Sequence, residues 1–309
     1  MAEAPSEIVA LAQARAAARA ARDFARADEL RDEIAASGWV VVDGPEGWRL
    51  EPATPAEPSE APPRGRVKAA DVGSLLDHPS THDVSLHWVC EGWPEDIERA
   101  IASFRAHARG RDLQFVVADV TGAEPGRWGD DVEVIGLEEG TGWAAARNAG
   151  LRRSLAPVVV ALDGSVEATG DALGPLTDAL ARPELGIVGP FGIVTRDLRE
   201  FEEAPGTGPC DAVEGYLMAF RRDVLREVGG FDEKFRWYRT ADIEWSFRVK
   251  DAGYGCEVVT VPVTKHEHRM WFETSPAERA KWSKRNFYRF LDRWRGRWDL
   301  VLSGEPPGG

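Results

Sequence analysis

The run Pro157-Val158-Val159-Val160-Ala161-Leu162, closing on Asp163-Gly164, constrains this chain most. Apolar residues without alternation predict a strand buried on both faces, and such strands sit in sheets covered by helices on each side. The surrounding pattern agrees. Val84–Val89, Leu113–Ala118 and Val132–Ile135 read as further strands. Pro94–His107, Trp143–Ser154 and Asp171–Ala181 read as the helices between them. Pro94 suits a first turn, and Ile97, Ile101 and Phe104 share one helical face. This alternation predicts an α/β fold with a mostly parallel sheet between helices. Ligands of such sheets bind beyond the carboxyl ends of the strands, so the residues just after each strand matter most.

The 309 residues predict two parts of unequal size. Residues 1–50 read as a small helix-hairpin unit. Ala-rich helical sequence runs from Ser6 to Ala36, with Phe24, Ala27, Leu30 and Ile34 at helical spacing. Ser37-Gly38 stops the helix. Trp39–Val42 and Trp48–Leu50 then flank a turn rich in Gly, Asp and Pro. Residues 51–66, EPATPAEPSEAPPRGR, are a Pro-rich linker. The main domain is expected over 67–302, with a disordered tail at 303–309.

Lys and Arg number 38 against 52 Asp and Glu, a formal charge of -14. That excludes a protein that wraps nucleic acid over its whole surface, and nucleic acid is not expected as a partner. Cys90, Cys210 and Cys256 include no C-x-x-C pair, and an odd count fits a reducing compartment. The first 34 residues carry early acids and scattered Arg, so they read as neither signal peptide nor membrane span. The expected location is cytoplasmic, or peripheral at the inner face of the membrane. The second option comes from the basic, aromatic stretch WSKRNFYRFLDRWRGRW. Its Phe287, Phe290, Leu291, Trp294 and Trp298 recur at helical spacing. That helix either packs on the domain or meets lipid or an anionic acceptor.

Several residues follow strands or open helices. Asp163 could hold a divalent cation that bridges phosphates, although Asp-Gly is also a common turn dipeptide. Asp119 ends the second strand and could accept bonds from a nucleobase or ribose, or simply shape a turn. Gly140–Gly150 opens a helix whose N-terminus favours anions, and Arg147 lies one turn in, within reach of a phosphate. Asp242 sits in the first turn of ADIEWSFRVKDAGYG, a place for a general base or for a carboxylate that complements the helix dipole. Glu244 reads as a supporting acceptor. His266 and His268 follow an expected strand at Cys256–Val263; two residues apart, they point to opposite sides if the strand continues.

Together these blocks resemble glycosyltransferase family 2, the inverting GT-A transferases, over about residues 82–295. GWAAARNAGL (142–151) is similar to the family's G-x-x-x-A-R-N-x-G helix, and VVVALDGS (158–165) stands in the place of its D-x-D motif. Residues 212–254 resemble its R-R…G-x-F-D-E-x-F block and the following E-D-x-D-x-x-x-R motif. The resemblance implies a Rossmann-like GT-A fold and transfer of a sugar from a UDP-, GDP- or dTDP-sugar to a glycan or other hydroxyl acceptor. It implies Asp119 at the base, Asp163 and Arg147 at the diphosphate, and Asp242 as catalytic base. It also implies Mn²⁺ or Mg²⁺ on Asp163 and His266, with Glu244 and His268 in support. This chain departs from the pattern at Ser165, where the second D-x-D carboxylate is missing, and at Ala241, where a Glu is usual. Val89-Cys90-Glu91-Gly92-Trp93 also replaces the family's Pro-x-Tyr/Phe-Asn signature. The alternative reading is a transferase-like binding protein without turnover, whose N-terminal module docks a partner or RNA. That module, ARDFARADELRDEIAASGWVVVDGPEGWRL (21–50), resembles the C-terminal tail of cysteinyl-tRNA synthetases.

Overall fold

The computed structural model describes residues 4–21, 26–27, 30, 33–34, 37, 39–44, 47–52, 65–123 and 126–304. The chain divides into two compact units, Met1–Glu57 and Pro58–Gly309. In the first, helix α1 (Ser6–Ala20) accompanies an antiparallel hairpin of β1 (Trp39–Gly44) and β2 (Gly47–Pro52). Ile8, Ala12 and Ile34 form its core, against Leu11, Trp39, Val41, Trp48 and Leu50. Against the expected single run to Ala36, α1 ends at Ala20, and residues 26–27, 30 and 33–34 are again helical. Ala27, Leu30 and Ile34 are buried as their spacing predicts. Phe24, linker residues 53–64 and tail residues 305–309 lie outside the described residues.

The second unit runs β3 (Val84–Cys90), α2 (Pro94–Ala106), β4 (Leu113–Asp119), β5 (Val132–Gly136), α3 (Trp143–Leu151), β6 (Val158–Leu162) and β7 (Val166–Ala168). It continues with α4 (Leu173–Leu180), β8 (Leu185–Gly189), β9 (Gly192–Thr195), β10 (Phe201–Glu203), β11 (Gly208–Pro209), β12 (Ala212–Val213) and β13 (Leu217–Arg221). It closes with α5 (Arg222–Val228), α6 (Ala241–Asp251), β14 (Gly255–Val258), β15 (Val263–Lys265), α7 (Arg269–Glu273) and α8 (Pro276–Trp294).

Eight strands form the central sheet in the order β11-β14-β8-β13-β6-β3-β4-β5. Pairings among β6, β3, β4 and β5 are parallel, as is β14 with β8, whereas β13 runs antiparallel between β6 and β8. The chain builds β3, β4 and β5 outward in one direction, then returns to place β6 on the other side of β3. That reversal opens a crevice at the carboxyl ends of β3 and β6. In β3, Leu86, Trp88 and Cys90 face α2 and α4, packing with Ile97, Phe104 and Leu176. The alternate residue Val89 packs on the opposite side. Burial on both faces is what the unbroken apolar runs predict.

The expected strand Cys256–Val263 is two strands. Pro262 lacks an N–H to donate, and the chain changes partners around it: β14 pairs with β8, β15 with β7. The apolar stripe of α8 turns inward. Phe290, Leu291 and Trp294 are buried against Phe247, Leu300 and Val301. The packing alternative therefore describes this stripe, which is not available to lipid. Behind it, fully buried Asp211 accepts the backbone N–H groups of Thr195 (2.8 Å) and Leu302 (2.7 Å) and pairs with Lys250 at 3.1 Å. Among the described residues no helix is long and apolar enough to cross a membrane.

Candidate active site

A cavity of about 620 Å³ opens at the carboxyl edge of the sheet, lined by Arg147, Asp163, Asp242 and His268 among others. Asp163 leaves β6 directly, and its own N–H donates to the Tyr216 carbonyl at 3.0 Å. One carboxylate oxygen accepts the Ser165 N–H at 2.8 Å; the other lies 3.0 Å from His268 Nε2. Desolvation works against the Asp163 anion, but the bond and charge of His268 and the bonds from Ser165 outweigh it. Its pKa therefore falls below the usual carboxylate range. The rings of Tyr216 and Tyr238 pack on His268, with centroids 5.8 and 4.4 Å away. His268 Nδ1 is buried without a hydrogen-bond partner among the described residues.

The expectation of His266 as the partner of Asp163 differs from the structure. His266 follows β15 and meets Glu167 at 2.7 Å, outside the cavity lining. The break at Pro262 ends the strand geometry on which the choice depended, and His268, at the start of α7, swings over β6 instead.

Asp242 occupies the first turn of α6. Its Oδ2 accepts the Gly215 N–H at 2.8 Å and its Oδ1 the Ile243 N–H at 2.9 Å. Desolvation raises its pKa in spite of those two bonds and the nearby Arg239 charge. Thr240, just before the helix, holds φ at +71°, a region costly for a β-branched residue. The bond from Gly215 ties the Glu214-Gly215-Tyr216 segment to the helix, so Glu214 lines the same cavity. Desolvation and the Asp242 charge push Glu214 up to about 7.

Arg147 is deeper than a phosphate-reaching side chain should be. It is 3% exposed, donating to the carbonyls of His87 (2.7 Å) and Leu162 (2.9 Å), and so ties β3 to β6 behind the cavity. Its charge lies over the Trp143 ring, and its Nε has no partner among the described residues. Desolvation lowers it to about 10. The adjacent Asn148 bonds both the N–H (2.7 Å) and carbonyl (2.8 Å) of Phe231. A Cβ on Gly230 would meet Asn148 Oδ1 at 2.3 Å. The Arg-Asn helix and the Gly-Gly-Phe-Asp block are thus two halves of one packing joint.

Two expected site residues lie elsewhere. Asp119 is 2% exposed and does not line the cavity. Its carboxylate accepts the N–H groups of Thr121, Gly122 and Ala123 and the Thr121 hydroxyl, organising its own loop. Glu244 bonds Arg248 and Arg293, both at 3.0 Å, and so links α6 to α8 away from the cavity. Sequence reasoning also missed Glu91, in a recess that shares Asp163, Arg147 and His268 with the main cavity. Desolvation lifts it to about 8, with Arg147 opposing and Asp163 adding to the rise. It directly follows β3, so the rule of reading each strand's next residue reaches it. Glu214 and Tyr216 offer no such signal.

The model of glycosyl transferase family 2 matches residues 95–242. Over that segment the larger unit is similar to family 2 glycosyltransferases. An N-acetylgalactosaminyltransferase 6 of Drosophila melanogaster is 25% identical over 72% of this chain and 37% of its own length. The crystal structure of GalNAc-T7 with UDP, GalNAc and Mn²⁺ superimposes with a TM-score of 0.54 at 18% identity. That match covers 71% of this chain and 49% of the other, and it shows the shared GT-A fold. Residues 1–48 match the cysteinyl-tRNA ligase anticodon binding domain. There the cysteine–tRNA ligase of Opitutus terrae is 58% identical over 17% of this chain and 11% of its own. The chain thus spans less than half of each of these relatives.

Proposed function

We propose that this family 2 segment moves a sugar from a nucleoside diphosphate sugar to an acceptor hydroxyl, with inversion at the anomeric carbon. The observation that carries the reading is the shared cavity of Asp242 and the Asp163–His268 pair. Asp242 takes the acceptor proton while the acceptor oxygen bonds the anomeric carbon. The anomeric C–O bond to the diphosphate breaks, and the nucleoside diphosphate leaves. Burial makes the Asp242 carboxylate a stronger base than one in water. The sugar develops oxocarbenium character as the bond breaks.

Among the described residues no group of three His, Cys, Asp or Glu could hold a metal ion. The oxygen of Asp163 and the ring of His268 still fit Mn²⁺, because such an ion can complete its shell with diphosphate and water. The ring offers such an ion a single nitrogen, and its Nδ1 is unpartnered among the described residues. When bound, the ion supplies positive charge that offsets the charge developing on the leaving diphosphate. UDP is the first donor base to try, since the GalNAc-T7 complex contains it. Three buried free cysteines fit a reducing, cytoplasmic setting.

Thermal-shift titration of UDP, GDP and dTDP with Mn²⁺ tests this reading. Stabilisation by one of them supports it, because a ligand of the native state raises stability by mass action. Silence from all three overturns it.

For the first unit, the anticodon-binding match favours a contact with RNA over plain docking. Weaker binding of a folded tRNA on deletion of residues 1–50, with single-stranded RNA binding retained by the second unit, is the expected result.

A further inference from the structure

The exposed face of α8 is unusual for so acidic a chain. Between Arg269 and Arg297, nine Arg and Lys accompany only three Asp and Glu, against a net charge of -14 for the whole. Three other cations of this segment meet carboxylates. Arg293 bonds Glu244, Arg297 bonds Asp251 and Asp299, and Arg269 bonds Glu95. Lys281, Lys284 and Arg285 have no carboxylate partner among the described residues.

Aromatic rings are interleaved with these charges. Lys281 and Arg285 lie 5.4 and 5.5 Å from the Trp282 ring centroid. Phe272 is 59% exposed and Tyr288 51%. The face leads into the site, since Lys284 and Tyr288 line the cavity that holds Asp242. Its chemistry is flat rings beside unneutralised cations. A bilayer-bound helix presents a continuous apolar face, and that face of α8 is buried in the core, leaving single rings between cations. Single-stranded nucleic acid has the complementary features: bases that stack on aromatic rings and a phosphate chain that meets Lys and Arg.

We infer that the acceptor is single-stranded RNA, which docks along the Lys281–Arg285–Tyr288 face of α8 and delivers one of its hydroxyls to Asp242. This rests on the transfer reading above and supplies its substrate class. The hydroxyl loses its proton to Asp242, its oxygen bonds the anomeric carbon, and the nucleoside diphosphate departs with the electrons of the broken C–O bond.

The test is fluorescence anisotropy of the full chain with a labelled 20-nucleotide RNA, beside the double variant Lys281→Glu/Arg285→Glu. With about three phosphates neutralised, affinity should fall about 20-fold between 50 and 200 mM salt. In the variant, binding should weaken at least about tenfold and the salt slope should fall by about 1.4. Circular dichroism and UDP–Mn²⁺ thermal shifts check that the variant remains folded. RNA affinity equal in variant and wild type overturns the proposal. So does binding to phosphatidylglycerol vesicles without binding to RNA. A nucleoside diphosphate that binds while RNA does not sinks this inference and leaves the transfer reading standing. RNA binding without any nucleotide response overturns the transfer reading and, with it, the acceptor role inferred here.

Discussion

His268 Nε2 lies 3.0 Å from Asp163 Oδ2, joining residues 105 positions apart in the chain. Under the proposed reading, the imidazole of His268, just before α7, serves as a ligand beside Asp163, where Ser165 offers no carboxylate. His268→Ala should therefore abolish most Mn²⁺-dependent stabilisation by the nucleoside diphosphate. The wild type gains about 2.7 kcal/mol at a hundredfold excess over Kd. His266→Ala, with its partner Glu167 outside the cavity, should leave that gain intact. Calorimetric melting with and without Mn²⁺ separates the two.

Asp242→Asn keeps one oxygen for a backbone N–H, sets its amide NH2 against the other, and removes the base. Sugar transfer should drop by about 10² to 10⁴-fold. Affinity for the nucleoside diphosphate should stay within about threefold in a direct titration, since Asp242 serves the acceptor side.

Glu91 predicts a pH dependence. Its carboxyl ionises near 4.5 unfolded and near 8 in the fold. Across that window the unfolded chain has released a proton that the native state retains, so this group lowers stability as pH rises. Below 4.5 both states are protonated and the effect vanishes. Glu91→Gln should match wild type in melting temperature at pH 4 and exceed it at pH 8. A variant curve parallel to wild type from pH 4 to 8 would remove the buried-proton explanation.

Phe290 is fully buried between Phe247 and Phe201, with ring centroids 5.1 and 5.7 Å away. Phe290→Ala should cost about 3–5 kcal/mol, read as a lower urea midpoint with an unchanged slope.

The parallel sheet was legible because β6 and the Phe115–Ala118 run of β4 are apolar on both faces, a pattern few other structures require. Asp163 and Asp242 were legible for a related reason: one follows a strand, the other opens a helix, and both positions face a crevice. Asp119 meets the same rule and fails to line the cavity, because neighbouring N–H groups reach its oxygens first. Arg147 lies on the expected helix and lines the cavity, but its guanidinium turns to the sheet. Side-chain length predicts reach, whereas the carbonyls of His87 and Leu162 decide direction. Between His266 and His268, the outcome turned on Pro262, whose effect on strand partners no periodicity conveys. Glu214 came to the cavity through long-range bonds, from Gly215 to Asp242 and from its own N–H to Phe191.

The clasp on Asp211 has a practical corollary. Leu302 supplies one of its three donors, so a protein trimmed before that residue would leave a water-sealed anion short of a partner. Fusion tags placed at this terminus should be spaced beyond Gly304, or loss of yield will be mistaken for loss of activity.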